Sequence, residues 1–308
     1  MGSTRLLGTG GRGAFSPNII VGIKALACEL PHELGIPLSR FSMSELKRAA
    51  IQRGIVASIG EATIWRWLSA DALKPWNHRT WVFPRAPDFE VKAARILDLY
   101  EGLWEGEPLG ENDWVLCADE KTSIQARHRR HATLSPAPGR IMKVEHEYER
   151  KGALAYVAAW DVRRARVFGR CEATTGIEPF NRLVEQVMAK EPYCSARRVF
   201  WVVDNGSSHR GQASIERLHN RWNNAVLVHT PVHASWLNQI EISFSVLQRK
   251  VLTPNDFASI DALADRILAF ERHYEQAARP FQWKFTRTDL RDLMERLEHP
   301  GPPLQLAA

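Results

Sequence analysis

"FWVVDNGSSHRG", residues 200–211, opens as a buried β-strand and changes character within one residue. Four bulky apolar residues, Phe200 to Val203, run directly into Asp204, Asn205, Gly206, two serines and His209. Such a run suits the interior of a sheet covered on both faces. Asp-Asn-Gly is also ordinary turn chemistry. A carboxylate at the lip of the strand therefore carries chemical meaning only if other acidic residues converge on it.

Working outward, "WVLCADE" is a short apolar strand expected to end near Asp119, and "ALAYVAAW" with "RARVFGR" forms a hairpin around Asp161 and Val162. "IEPFNRLVEQVMAK" has helical periodicity, "RVFWVVD" is the strand already described, and a helix is expected over 209–221. "AVLVHT" is a further strand, and "SWLNQIEISFSVLQRKVL" is helical. The order β-β-β-α-β-α-β-α predicts an α/β fold, a mixed sheet flanked by helices. In the last helix Leu237, Ile240, Phe244, Leu247 and Val251 share an apolar face, and Asn238, Glu241, Ser245 and Gln248 a neighbouring polar one.

Asp119 and Asp204, each expected to end a strand, can then meet at one sheet edge, with Glu241 facing them from the helix. The spacings are 204 − 119 = 85 and 241 − 204 = 37 positions. Three hard oxygen donors suit Mg²⁺ or Mn²⁺, and two such ions support in-line phosphoryl displacement. Unneutralised, such a group would repel itself, which makes it poor scaffolding. Each residue taken alone could equally be a turn former or cap. Asn205, His209 and Asn238 lie beside this edge as supporting residues, the first two also readable as turn or cap residues. Asp113, Glu120 and Glu216 are expected at solvent or in caps. "GSSHRG" is not the G-x-S-x-G elbow of a serine hydrolase.

The chain has 308 residues, 44% hydrophobic and 25% charged, in the range of a globular protein. No apolar stretch approaches the length of a membrane span, and the first fifteen residues lack a signal-peptide core, so no membrane partner and a cytoplasmic, nucleoid-associated location are expected. The four cysteines stand far apart, which argues against zinc and redox pairs, and His229 with His233 lacks further ligands. Lys and Arg outnumber Asp and Glu by 41 to 35. From Lys121 to Val144 there are six cations, Lys121, Arg127, Arg129, Arg130, Arg140 and Lys143, and no carboxylate, a pattern suited to a phosphate backbone.

Residues 1–15, with five glycines, read as a flexible arm. Ser16 and Pro17 start a helix, Ser42 and Glu45 are spaced as a capping box with Gly54 at the helix end, and Ser58 and Glu61 are spaced as a second box. Residues 16–70 therefore predict a helix-turn-helix DNA-binding region whose second helix carries Thr63, Arg66, Trp65 and Trp67, the tryptophans as packing residues. Residues 71–110, with a proline-rich stretch and "FEVKAARILDLYEGLWEG", are expected to be a linker and connecting helix, 111–298 the catalytic domain, and 299–308 a tail.

"CADEKTSIQAR", "VFWVVDNGSSHRG" and "PVHASWLNQIEISFSVLQRK" together resemble the three catalytic blocks of DDE transposases of bacterial insertion sequences in the mariner superfamily. The resemblance runs from about residue 16 to 298. It implies an RNase H-like catalytic domain, two Mg²⁺ ions, cleavage at terminal inverted repeats and strand transfer into target DNA, commonly at TA. It also implies a homodimer in the DNA complex, with Asp119, Asp204 and Glu241 as the metal-binding catalytic triad. DNA would be held by Arg66, Lys121, Arg127, Arg129 and Arg130. The family usually carries a further upstream helix-turn-helix, so a truncated N-terminal region is expected. Two alternatives stay open: an inactive remnant that occupies element ends, and another RNase H-like nuclease.

Overall fold

The computed structural model describes residues 15–71, 73–77, 86–206 and 211–298. They fall into two compact units divided between residues 82 and 83.

The first unit contains α1 (Pro17–Cys28), a 3-10 turn, α2 (Met43–Gln52) and α3 (Glu61–Ala70). Pro17 stands in the first turn of α1, as its fixed φ favours. At α2 the capping box is formed: Ser42 Oγ accepts from Glu45 N and Ser42 N donates to Glu45 Oε2 at 2.8 Å. Gly54 just beyond this helix has φ +70°, the left-handed conformation that closes helices. The second expected box is not formed. Gly60 occupies the N-cap of α3 with no side-chain bond, because the helix starts at Glu61 itself and leaves Ser58 two residues outside. Ile23, Leu26, Leu46, Ile64 and Leu68 make the core of this unit. Trp67 packs against it, whereas Trp65, expected as a packing residue, is 53% exposed because its position on α3 faces away from Ile64 and Leu68.

The second unit begins with α4 (Phe89–Tyr100), then a small hairpin, β1 (Leu103–Trp104) and β2 (Glu107–Pro108), that sequence periodicity is too short to reveal. Next come β3 (Asp113–His128), β4 (Glu149–Asp161), β5 (Arg166–Glu172), α5 (Ile177–Met188), β6 (Arg198–Val203), α6 (Gln212–Arg221), β7 (Ala225–His229), α7 (Ile240–Lys250), α8 (Ile260–Glu275) and α9 (Arg287–Glu298). Five strands form one sheet in the order β5-β4-β3-β6-β7, the first three antiparallel and the last three parallel. The α/β class and the mixed sheet flanked by helices are thus as expected.

Side-chain alternation along each strand assigns the two faces. Val115, Cys117, Tyr156, Trp160, Phe200 and Val202 pack with α4, α7 and α8. Leu116, Ala118, Val157, Ala159, Trp201 and Val203 pack with α5 and Leu218 of α6. The two faces explain why "FWVV" is apolar at every position: each residue has a buried side to fill. Phe89, Ala93, Ile96 and Leu97 place α4 in this core rather than in a connector.

Two elements differ from expectation near the sheet edge. β3 does not end at Asp119 but continues to His128, because its antiparallel pairing with β4 runs on, with shifts in register, to His128↔Glu149. Its parallel pairing with β6 stops at Cys117↔Val202, so Asp119 sits just past the point where one neighbour ends. The helix expected from Ser235 is interrupted: a 3-10 turn covers Ser235–Leu237, Asn238 is extended (φ −86°, ψ 111°), and α7 starts at Ile240. Asn238 therefore does not share a polar helix face with Glu241.

Candidate active site

Position along each strand decides which carboxylates can meet. Asp119 follows Cys117 by two residues on the α7 side of the sheet, and Asp204 follows Val203 at the tip of the neighbouring strand. Glu241 lies in the first turn of α7, which is held to the sheet by Ile240, Phe244 and Leu247.

Asp119 is 9% exposed, and its Oδ1 accepts the Glu120 amide at 2.7 Å. Burial above all, with the charges of Asp204, Glu120 and Glu241 adding to it, lifts its pKa to about 7. Glu241 is raised as well, chiefly by burial and secondarily by Asp204, while Lys121 opposes the shift. Asp204 Oδ1 accepts the Gly206 amide at 2.7 Å, the Asx turn that its sequence promised. The three acids thus sense one another electrostatically across separations of 37, 85 and 122 residues in sequence. Among the described residues no three His, Cys, Asp or Glu side chains already stand close enough to clasp an ion. In kind the donors fit a hard divalent cation: oxygen ligands carrying excess negative charge, partly buried, with Asp119 held towards neutrality chiefly by burial and further by its acidic neighbours.

Asn205, next to Asp204, donates from Nδ2 to the Thr230 carbonyl at 2.6 Å and so fixes the strand tip to the segment after β7. A cleft of about 310 Å³ opens here, lined by Asp204, Asn205, Thr230, His233 and Ser235 among others. His233 holds a left-handed backbone, φ 62°, at its rim, a feature that composition and periodicity did not signal. Asn238 is fully buried and donates from Nδ2 to the Ala118 carbonyl at 2.9 Å. His209 lies outside the described residues. Asp113 is not at solvent: its buried carboxylate pairs with Arg198, Nη2 to Oδ2 at 2.7 Å, because β3 and β6 start side by side there.

The basic residues divide by location. Lys121 stands beside Glu241 and stabilises its charged form. Arg127 and Arg129 lie on or just past the end of β3 and stack over the Tyr148 ring, with guanidinium carbons 4.5 and 5.6 Å from its centroid. Arg129 also donates to the main-chain carbonyls of Glu145, His146 and Glu147, so part of its hydrogen-bonding capacity serves its own hairpin. Arg130 is exposed beside them. Arg66 is exposed on α3 of the first unit, its guanidinium bonded to the Ala62 carbonyl and Thr63.

Residues 114–264 match the family described as DDE superfamily endonuclease, which places Asp119, Asp204 and Glu241 within the matched span. No curated protein matches the chain. Among solved structures the chain is similar to the mariner Mos1 paired-end complex with Mg, at 14% identity and a TM-score of 0.49, covering 93% of this chain and 79% of that one. It is also similar to the Mos1 mariner paired-end complex with Mn, at 15% identity and a TM-score of 0.45, covering 86% and 79%. No helix among the described residues is long and apolar enough to cross a membrane.

Proposed function

We propose, from the premise that residues 114–264 are a DDE superfamily endonuclease domain, that the chain is a transposase that cuts DNA at the ends of a mobile element and joins them to target DNA. The observation that supports the reading is that three sequence-distant acids, Asp119 on β3, Asp204 just past β6 and Glu241 in the first turn of α7, lie on neighbouring elements inside that domain, near enough for their charges to add to the burial that lifts Asp119. Asp119, Asp204 and Glu241 would hold Mg²⁺ or Mn²⁺, two ions in the working complex. When bound, the ions supply Lewis-acid activation of a water or 3′-hydroxyl and stabilise the leaving oxygen.

The chain's own residues do the rest. Asp119 on β3 and Asp204 just past β6 offer ligand oxygens, and the amides of Glu120 and Gly206 already fix one oxygen of each. Lys121 offsets part of the upward shift of Glu241 and pairs with its carboxylate until a metal takes its place. Asn205 fixes the tip that carries Asp204, and His209 contacts phosphate. Arg127, Arg129 and Arg130 hold the DNA backbone from the β3–β4 arm, and Arg66 contacts DNA from the first unit. Terminal inverted repeats are the substrate, TA dinucleotides the common target, and a homodimer on the nucleoid the working state.

The test is cleavage of a labelled duplex carrying the element's own terminal repeat, with Mn²⁺, by wild type and Asp204→Asn. Cuts by wild type alone, abolished by EDTA, are expected. Joining that proceeds equally in EDTA would show the metal reading to be wrong.

A further inference from the structure

Asn238 touches neither solvent nor any carboxylate recorded in the structure, yet it connects the two segments that bear the first and third acids. Its Nδ2 donates to the carbonyl of Ala118, the residue before Asp119, across 120 positions of sequence. Its own carbonyl accepts the amide of Glu241 at 3.1 Å. One residue thus grips the main chain beside Asp119 with its side chain and the main chain of Glu241 with its backbone. The residue is extended where a continuous helix would have carried it to another face, so the break before α7 is what brings its amide onto β3.

The surrounding contacts make this grip specific. Tyr100 of α4 donates to the Leu237 carbonyl at 2.7 Å, which fixes the residue just before Asn238 from the outer side. At the other end of the same segment Thr230 N donates to Val203 O at 2.8 Å, and Asn205 Nδ2 reaches the Thr230 carbonyl. Residues 230–238 are therefore fastened to β6 beside Asp204 and to β3 beside Asp119. Tyr100 also stands 3.1 Å from Cys117 Sγ of β3, and of these fastenings the Asn238 side chain is the one that reaches the main chain next to Asp119. A buried amide has no water to replace a lost partner, so removing it leaves the Ala118 carbonyl without this donor as well as freeing the helix start.

We propose that Asn238 is a positioning residue that sets the separation of Asp119 and Glu241, and so the affinity of the acidic edge for a divalent cation. The proposal rests on the metal-binding reading above. Outer residues that orient ligating carboxylates commonly alter metal affinity by roughly 10–100-fold when replaced.

The experiment is calorimetric titration of the full chain with Mn²⁺ alone, in the absence of DNA, together with melting temperature. It compares wild type, Asn238→Ala, Asn238→Ser and Ile267→Val, the last a core change in α8 that lowers stability away from the site. Expected is a loss of Mn²⁺ affinity of about tenfold in both Asn238 variants, with Ile267→Val binding as wild type at a similarly lowered melting temperature. Unchanged affinity in a folded Asn238 variant overturns the proposal. So does failure of both variants to fold, which would make Asn238 part of the core alone, or an equal loss in Ile267→Val. A wild type that binds no Mn²⁺ overturns the metal reading, and this inference with it, so the wild-type and variant arms separate the two failures.

Discussion

Two carboxyl groups in this protein are lifted to about the same pKa, near 7, in different surroundings. Asp119 stands at the sheet edge among Asp204, Glu120 and Glu241, with Lys121 next to Glu241. Glu271 of α8 is pressed against β4 and β5, where Tyr156 donates to its Oε1 at 2.6 Å and only the absence of a side chain at Gly169 leaves it room. Burial is the leading cause in both. The difference lies in what else is near: for Asp119 two further acids brought in by separate elements, for Glu271 a hydroxyl, with Glu275 of its own helix raising and Arg272 lowering its pKa. A shifted carboxyl by itself does not mark chemistry; convergent like charge at an open edge does.

The largest effect expected is on cleavage. Asp119→Asn should lower metal-dependent nicking by more than about 100-fold, the loss expected for a ligand when outer residues already cost up to that much. It should leave the melting temperature of metal-free protein undiminished, because it removes like-charge repulsion. Glu271→Gln should leave nicking intact, and equal losses in the two variants, measured on labelled duplex, would erase the contrast.

Next in size is Gly169→Ala. A Cβ there meets the Tyr156 ring and hydroxyl and the Glu271 carboxyl, an overpacking cost of about 1–3 kcal/mol readable by denaturant unfolding. Mn²⁺ affinity should not change, since the strain falls around Glu271.

The pH dependence of stability should follow Glu271 in a definite direction. In the unfolded chain it titrates near 4.5, while in the folded protein it holds its proton to about 7. Its contribution is therefore fully present below pH 4.5, declines as pH rises through this window and levels off above 7. The groups facing it are Tyr156, Cys171, Arg272 and Glu275. Glu271→Gln keeps an acceptor for Tyr156 and should flatten the decline, gaining about 1–2 kcal/mol relative to wild type between pH 5 and 8. A parallel pair of stability curves would contradict this.

The smallest effect is at the open edge itself. Lys121→Gln removes a cation that competes with a metal for Glu241, and Mn²⁺ affinity in calorimetry should tighten by only about two- to fivefold, since solvent and salt screen such a charge. A change of a hundredfold would mean that solvent does not screen this charge.

What the sequence disclosed of this contrast follows from how local each signal is. Asp204 was readable because a four-residue apolar run ends at it and an Asx turn begins there, all within a few positions. Asp119 was found, but its strand was cut too short, because the switch from two partners to one at Cys117 depends on where β6 stops some 85 residues later. Asn238 was placed on a helix because Leu237, Ile240, Phe244 and Leu247 keep helical spacing across the break, and only a carbonyl from β3 reveals the interruption. Glu271 gave no signal: one acid on an amphipathic helix reads as a surface residue until the missing Cβ of Gly169 opens a place for it.

The parallel pairing of β3 with β6 has a consequence for how the protein comes to be. Pairing residues 113–117 with 198–202 requires closing a loop of more than eighty residues, a slow and late event compared with forming the β4–β5 hairpin. On the ribosome, Glu241 is made later still. A nascent chain thus carries its basic β3–β4 arm before Glu241 is made, and on the proposed function a chain cut short ahead of α7 would keep that arm while lacking one of the three acids.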